Sequence, residues 1–569
     1  MNSVLDLIYK QIKQRPSQPA LHYLEDDAFV PITYHEMALG AERLTIYIQE
    51  HCEPGDNVVI WANNCWQWAI TDLAIQLADA VSVPVYPTAG EDQLEYIFND
   101  SKPVLIFVDS LTDARVDAVK AIDSVKKVIS FEKIEGVQSQ DLLTEFNDVM
   151  NALPEVAMIN DPNWVKDRLN LPLTTLYTSG TTGIPKAVPL THNNIVQNFL
   201  GILDIIPITS ADTSLSFLPL SHIFERTVGF FCVMGVGASI YYAESIDTVA
   251  RDLLVAKPTF IISVPRLYEK IYQRVMANAT GIKKTILKLA LFIGRFFQRG
   301  ILWSIAYKLV FSKIHQKTGG NVRFLVTGGA PISTHIEMFF NAAGLPVVQG
   351  YGLTETSPII TGNLDKKVGS VGKPLDNLDV KILDGGEICV KGPSIFAGYS
   401  NVSNDDVFTE DGFFKTGDLG YLDKKGYLYV TGRKKEIIVL SNGKNISPNL
   451  VEEKLIQSSF VNQVVVVGDD RSYLVALVVP DEEALQLALG SSEQLADLIN
   501  NDKTQDLIQA DLLKLSAKLA NFETIKAIHL LSDEFTIEGM ELTPTLKLRR
   551  KEISKKYATI IESLYDKGE

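Results

Sequence analysis

Short apolar runs that end in Gly- or Pro-marked loops recur along this chain, separated by stretches of helical period. Residues 56–62 (DNVVIWA) and 103–108 (PVLIFV) read as buried strands, with a helical segment over 66–78 between them. Residues 173–177, 259–263 and 322–327 repeat the theme. A strand that is apolar throughout has both faces covered, and the helical stretch that follows supplies the crossover. The chain is therefore expected to be an α/β protein with parallel sheets. Between residues 369 and 430 the pattern changes to short strands between Gly, Asp and Asn turns (VKILDGGEICVKG, GYLDKKGYLYVTG). Antiparallel hairpins or a small barrel are expected there. After Gly432, a helix over 449–457 and strands over 462–467 and 473–479 predict a separate small α/β domain. At 569 residues the chain is too long for one hydrophobic core.

Charge and cysteine usage narrow the partners. Asp and Glu outnumber Lys and Arg by 69 to 53, a formal charge of −16, which argues against nucleic acid. A small polyphosphate is still compatible, because a local loop binds it whatever the global charge. Cys52, Cys65, Cys232 and Cys389 are scattered without a CxxC pair, which predicts a reducing compartment and no structural zinc. Asp6 and Lys10 interrupt the apolar core that a secretory signal needs, so a cytoplasmic location is expected. The longest uncharged stretch, 227–243, is Gly-rich and falls short of the ~18 residues that suggest a membrane span. It is expected to be a buried strand–turn–strand.

The strongest local signal is the string TSGTTGIPK at 178–186, directly after an apolar run. Glycines let the backbone approach a ligand closely, hydroxyls add donors to the N–H groups, and Lys186 adds a cation. Such a loop can cradle polyphosphate. It is not a Walker A loop, which needs Gly-Lys-Ser/Thr, whereas Gly183 and Lys186 are separated and Ala187 follows. A flexible surface loop rich in Gly and Thr is the plainer alternative.

This string resembles the phosphate loop of the ANL superfamily of adenylate-forming enzymes, which includes acyl-CoA synthetases, peptide-synthetase adenylation domains and firefly luciferases. Four further strings match in the same order: GGAP (328–331), GYGLTET (350–356), DGFFKTGDLGYLDKKGYLYVTGRKKE (411–436) and TPTLKLRR (543–550). The resemblance implies a large N-terminal domain (1–432) of two α/β subdomains plus a small distorted β-barrel. A smaller, mobile C-terminal α/β domain (433–569) would follow, hinged near Lys435.

It also implies a site. Thr178, Ser179, Gly180, Thr181, Thr182, Gly183 and Lys186 would hold phosphates of ATP. Gly329, Ala330 and Pro331, with Gly350, Tyr351, Gly352 and Thr354, would flank adenine; Tyr351 offers a stacking face, or is a core aromatic. Glu355, with Thr182, would hold Mg²⁺ against phosphate oxygens, unless it is an ordinary helix-start carboxylate. Asp418 would accept from ribose hydroxyls or be an Asx-turn residue, and Arg433 would add a donor there or form an exposed salt bridge. Thr181, Lys186, Glu355 and Lys547 would be catalytic. Lys547 would stabilise charge growing on the transferring phosphoryl group; by pattern alone it belongs to a solvated basic tail. Leu546 stands where many relatives carry glycine, a variant resembling the long-chain acyl-CoA synthetases.

The middle of the chain points to the acid. LPLSHIFER (218–226) and SVPRLYEKIY (263–272) resemble strings of long-chain fatty acid–CoA ligases, and His222 would line the acyl site or be a structural histidine. From Lys270 through Ile336 the chain has no Asp or Glu. On a helical wheel Lys284, Lys288, Arg295 and Arg299 share one face, opposite Ile282, Ile286, Leu289, Ile293 and Phe297. Residues 282–300 therefore form a basic amphipathic helix that either lies on an anionic membrane or packs on the core with a solvated basic face.

The expected reaction takes a medium- to long-chain fatty acid and ATP to an acyl-adenylate and pyrophosphate, then transfers the acyl group to coenzyme A. SNGKNISPNLVE (441–452) departs from the usual long-chain loop, so acyl carrier protein, or arrest at the adenylate, stays open as an alternative. Lys444 would serve the thiol step or be a surface lysine. A catalytically silent fatty-acid-binding membrane scaffold is the alternative outside enzymes.

Overall fold

The computed structural model describes residues 1–120, 122–134, 142–156, 159–179, 185–279, 281–297, 300–537, 539–543 and 547–566. The chain divides into two compact units, one of residues 1–265, 285–380 and 390–414, the other of 266–284, 381–389 and 415–569.

The first unit holds two sheets. In the seven-stranded sheet the order is Leu143–Glu145, Lys127–Ser130, Leu105–Val108, Asn57–Trp61, Val81–Val85, Pro172–Ser179, Pro185–Thr191. The first six are parallel; the last returns antiparallel as a hairpin. Strand alternation sends Val58 and Ile60 to one core and Val59 and Trp61 to another, so both faces are covered. That double burial is why these strands read as unbroken apolar runs.

The nine-stranded sheet runs Lys373–Pro374, Ile359–Gly362, Val347–Gly352, Phe324–Thr327, Phe260–Ser263, Thr213–Ser216, Ser239–Tyr242, Pro19–Glu25, Ala28–Thr33. Its six strands from Val347–Gly352 to Pro19–Glu25 are parallel, and antiparallel strands finish both edges. A buried ion pair ties helix Trp66–Leu77 to the segment after Thr213–Ser216. Arg226 donates from Nε and Nη2 to the Asp72 carboxylate at 3.0 and 2.5 Å, and from Nη1 to Thr174 Oγ1 at 2.7 Å. With every guanidinium edge matched, the charge is tolerated inside.

The stretch 227–243 corrects the sequence reading. Glu225–Cys232 is a π-helix that continues as Val233–Val236 and ends at left-handed Gly237; only Ser239–Tyr242 is a strand. All eight residues of the π-helix are buried. An element buried on every side carries no exposed-to-buried period that separates helix from strand.

Between residues 379 and 433 lies a four-stranded sheet in the order Asp379–Ile382, Glu387–Lys391, Phe414–Leu422, Leu428–Arg433. Among the described residues no pairing closes it into the expected barrel. A three-stranded sheet of Val461–Val467, Leu474–Pro480 and Ile525–Leu530 carries helices Pro448–Leu455 and Asp502–Ser516.

Candidate active site

The strings expected to flank adenine fall at one edge of the nine-stranded sheet. Gly328–Pro331 leaves the C-terminal end of Phe324–Thr327, and the parallel neighbour Val347–Gly352 carries Gly350, Tyr351 and Gly352. The C-terminal edge of a parallel sheet is where α/β proteins place ligands. Gly352 has to be glycine: a Cβ there would sit 1.7 Å from the Pro358 carbonyl oxygen. Tyr351 is half-buried and packs partly against the main core, so its two sequence readings are not exclusive.

Thr354 and Glu355 lie in the 3₁₀ turn Thr354–Thr356 that follows. Glu355 is buried, and its Oε1 accepts a 2.7 Å hydrogen bond from the Tyr399 hydroxyl. Among the described residues its second oxygen takes no hydrogen bond. Lys186, at the start of Pro185–Thr191, places its ammonium 4.4 Å from the centre of the Tyr399 ring. One tyrosine thus touches both the loop lysine and the carboxylate. Thr178 pairs with Lys186 across the hairpin and donates from Oγ1 to its carbonyl at 3.5 Å. Ser179 pairs with Pro185. Gly180, Thr181, Thr182 and Gly183 lie outside the described residues.

A hard cation such as Mg²⁺ takes one or two carboxylates and leaves its other positions to phosphate and water. A single buried carboxylate with one oxygen uncommitted fits that demand. Among the described residues no cluster of three or more His, Cys, Asp or Glu offers an all-protein metal site.

His222 sits past the C-terminal end of Thr213–Ser216, half-buried, in a loop pinned by Asn64. Asn64 donates to the Leu218 carbonyl at 2.6 Å and accepts from the Leu220 N–H at 2.8 Å, and His222 Nδ1 accepts from the Phe224 N–H at 3.1 Å. Beside it, burial pushes the Glu225 carboxyl up to about 8, with a Ser216 hydroxyl hydrogen bond pulling back.

In the second unit, left-handed Gly417 (φ 72°) turns the chain into buried Asp418. Asp418 faces Arg433 across the hairpin and accepts from its Nε at 2.9 Å. The two residues assigned to the ribose side are thus partners of each other. Exposed Lys435 lies in the turn Lys434–Glu436, whose Lys434 donates to Glu387 at 2.8 Å. Lys444 is exposed in a tight turn, its ammonium 5.5 Å from the Phe522 ring centre. Lys547 is exposed too; its N–H donates to Thr543 Oγ1 at 3.0 Å while its carbonyl accepts from the Thr543 N–H at 2.8 Å.

Residues 8–400 match the AMP-binding enzyme family, and 435–569 match the AMP-binding enzyme C-terminal domain. The chain belongs to the AMP-binding enzyme family. Relatives within it include the long-chain-fatty-acid–CoA ligase FadD15 of Mycobacterium bovis, 32% identical over all of this chain and 97% of that protein. Another is the long-chain-fatty-acid–CoA ligase 5 of Rattus norvegicus, 33% identical over 94% of this chain and 84% of that one. The fold is that of solved AMP-binding enzymes. The A-PCP didomain of the Segniliparus rugosus carboxylic acid reductase, in complex with AMP, gives a TM-score of 0.80 at 23% identity, over 99% of this chain and 82% of that one. ATP-bound MatB from Rhodopseudomonas palustris gives 0.72 at 22%, over 98% and 100%. In this AMP-binding enzyme Tyr399 is a site contact that no sequence motif marks. Nothing in the string AGYSN announces a contact with Glu355, 44 residues earlier.

Proposed function

We propose that this AMP-binding enzyme activates a medium- to long-chain fatty acid with ATP and transfers the acyl group to coenzyme A. The observation that carries the proposal is the Lys186–Tyr399–Glu355 arrangement at the mouth of the phosphate-loop hairpin, in a chain whose full-length relatives are fatty acid–CoA ligases. The acid carboxylate attacks the α-phosphorus of ATP, the bond to the β-phosphate oxygen breaks, and pyrophosphate leaves with the electron pair. Lys186 and the hydroxyls and N–H groups of 178–183 hold the phosphates, and Lys547 meets the charge that grows as that bond breaks. Glu355, with Thr182, would hold Mg²⁺, which neutralises phosphate oxygens when bound. Tyr351 and the glycines around it take adenine, and Asp418 with Arg433 takes the ribose.

A thiolate then attacks the acyl-adenylate carbonyl and AMP leaves. Two half-reactions on one site call for a rearrangement, and the turn at Lys435, where the C-terminal family segment begins, is the proposed hinge. Lys444 belongs to the thiol step. The deciding experiment scores AMP release over acids from acetate to oleate, with coenzyme A alone and with acyl carrier protein alone. Acid-dependent release confined to medium and long chains and to coenzyme A is expected. Release with carrier protein alone would reassign the acceptor, and no acid-dependent release with either would return the chain to a binding scaffold.

A second reading concerns where the acid comes from: helix Gly281–Phe296 rests on an anionic membrane surface. The helix packs through Leu287, Ala290 and Gly294, and a Cβ on Gly294 would lie 2.1 Å from the Ala342 carbonyl oxygen. Several of its other apolar residues therefore face solvent: Ile282 is 81% exposed, Phe292 59% and Phe296 61%. The exposed run continues through Phe297, Ile301, Leu302 and Leu309. Lys284, Lys288 and Arg295 are exposed beside it, while Arg299 lies outside the described residues. Exposed apolar surface of this extent marks an interaction site, and the basic flank matches anionic headgroups. Among the described residues no helix is long and apolar enough to cross a membrane.

A further inference from the structure

Segment 393–404 crosses beneath both ends of the phosphate-handling machinery. Two of its carbonyls, Pro393 and Ile395, accept from Asn194 Nδ2 at 3.0 and 3.1 Å, which anchors the segment to the start of helix His192–Ile205. The Phe396 N–H donates to the Glu355 carbonyl at 2.9 Å, and the Phe396 ring meets Tyr399 edge-on at 4.9 Å. Asn404 closes the turn by accepting from the Tyr399 N–H at 2.8 Å and donating to the Tyr399 carbonyl at 2.9 Å. Tyr399 is therefore held by backbone and ring alike.

The same segment grips the peptides on both sides of Lys186. Asn401 donates to the Pro185 carbonyl at 3.0 Å and accepts from the Ala187 N–H at 2.9 Å, and the Ser400 N–H donates to the Ala187 carbonyl at 3.2 Å. The Lys186 backbone is fixed on each flank, and its ammonium comes to the Tyr399 ring. A lysine over an aromatic face is held as a cation without being neutralised by a carboxylate, and it stays available to phosphate. A tyrosine hydroxyl given to one oxygen of a carboxylate fixes its plane without cancelling its charge.

We propose that Tyr399 and Asn401 are positioning residues for adenylate formation: together they set the spacing between Lys186 and the metal-binding oxygen of Glu355. The proposal rests on the assignment of Glu355 to Mg²⁺ and Lys186 to phosphate. Among the described residues the Tyr399 hydroxyl reaches Glu355, so its proposed role runs through that carboxylate.

Three readouts on the full chain test this, using Tyr399→Phe, Asn401→Ala and Glu355→Gln. They are calorimetric affinity for ATP with and without Mg²⁺, acid-dependent pyrophosphate exchange against Mg²⁺ concentration, and thioester formation from preformed lauroyl-adenylate and coenzyme A. Loss of one hydrogen bond to a charged group predicts about a tenfold smaller Mg²⁺-dependent gain in ATP affinity for Tyr399→Phe. The Mg²⁺ needed for half-maximal exchange should rise by a similar factor, with thioester formation from the adenylate unchanged. Asn401→Ala should instead weaken ATP binding with and without Mg²⁺ alike. If Glu355→Gln shifts the Mg²⁺ dependence and Tyr399→Phe does not, the positioning role is wrong while the site assignment stands. If Glu355→Gln does not shift it, the site assignment fails first. Equal loss in both half-reactions with a lowered unfolding midpoint for Tyr399→Phe would mean a structural tyrosine only, and would also overturn the proposal.

Discussion

Arg550 and Glu452 form a two-pronged ion pair, with Nη1 on Oε1 and Nη2 on Oε2, both at 2.5 Å. The same guanidinium donates to Asn449 at 2.6 Å and reaches Glu436 at 3.8 Å, while Glu452 Oε1 also accepts from the Val466 N–H at 2.8 Å. Arg550 stands three residues after Lys547, and Glu436 follows Lys435 directly. The pair therefore ties the lysine segment to the sheet of its own unit and to the proposed hinge.

Arg550→Lys keeps the charge and loses the fork, and a point charge cannot match both oxygens at once. We expect it to lower stability by about 1–2 kcal/mol and Arg550→Ala by about 3 kcal/mol, since the latter strands the Glu452 carboxylate. Urea unfolding monitored by circular dichroism measures both. Pyrophosphate exchange should fall in parallel, because Lys547 loses its nearest anchor.

The two lysines of the C-terminal segment should separate the half-reactions. Lys547→Ala is expected to lower acid-dependent pyrophosphate exchange by about 100-fold or more, the scale of losing one charge-stabilising group. Thioester formation from supplied acyl-adenylate should persist. Lys435→Pro should do the reverse, preserving exchange and crippling thioester formation by stiffening the turn. Equal loss of both half-reactions in Lys435→Pro would remove the hinge.

Glu225 makes stability pH-dependent in a predictable direction. Its carboxyl is held protonated up to about 8 in the fold, against an ordinary value of 4.5. Below 4.5 both states carry the proton and the residue is neutral in its effect. Between these values the unfolded chain releases the proton and the native chain keeps it, so stability declines as pH rises. Glu225→Gln removes the titration. Its stability relative to the parent should climb by up to about 1.4 kcal/mol per pH unit across that window, then level off. Melting temperatures recorded in steps from acid to mildly alkaline buffer show whether the two curves converge or cross.

The exposed helix can be tested by separating apolar from electrostatic contact. Phe292→Ser with Phe296→Ser should weaken sedimentation with phosphatidylglycerol vesicles by about tenfold or more, given the apolar area removed. Lys284→Glu, Lys288→Glu and Arg295→Glu together should abolish the preference for anionic over neutral vesicles. Activity on a short, soluble acid should hold in both sets. Unchanged sedimentation in both would end the membrane reading.

The sequence alone was enough for the layered α/β plan, because a strand buried on both faces must be apolar at every position, as Val58–Val59–Ile60 is. Hairpins such as Phe414–Leu422 with Leu428–Arg433 were equally legible, since their turns demand Gly, Asp or Asn. It did not reveal the π-helix at Glu225–Cys232, where uniform burial erases the period that tells helix from strand. Nor could it decide which side of Gly281–Phe296 packs: the apolar stripe could lie on a membrane or on the core, and close backbone approach at Gly294 put Leu287, Ala290 and Gly294 on the packed side instead. Tyr399 is the sharpest case. Local sequence records what a residue is and what neighbours it has in the chain; only the tertiary fold, which brings 399 against 355 and 186, determines what its hydroxyl and its ring touch.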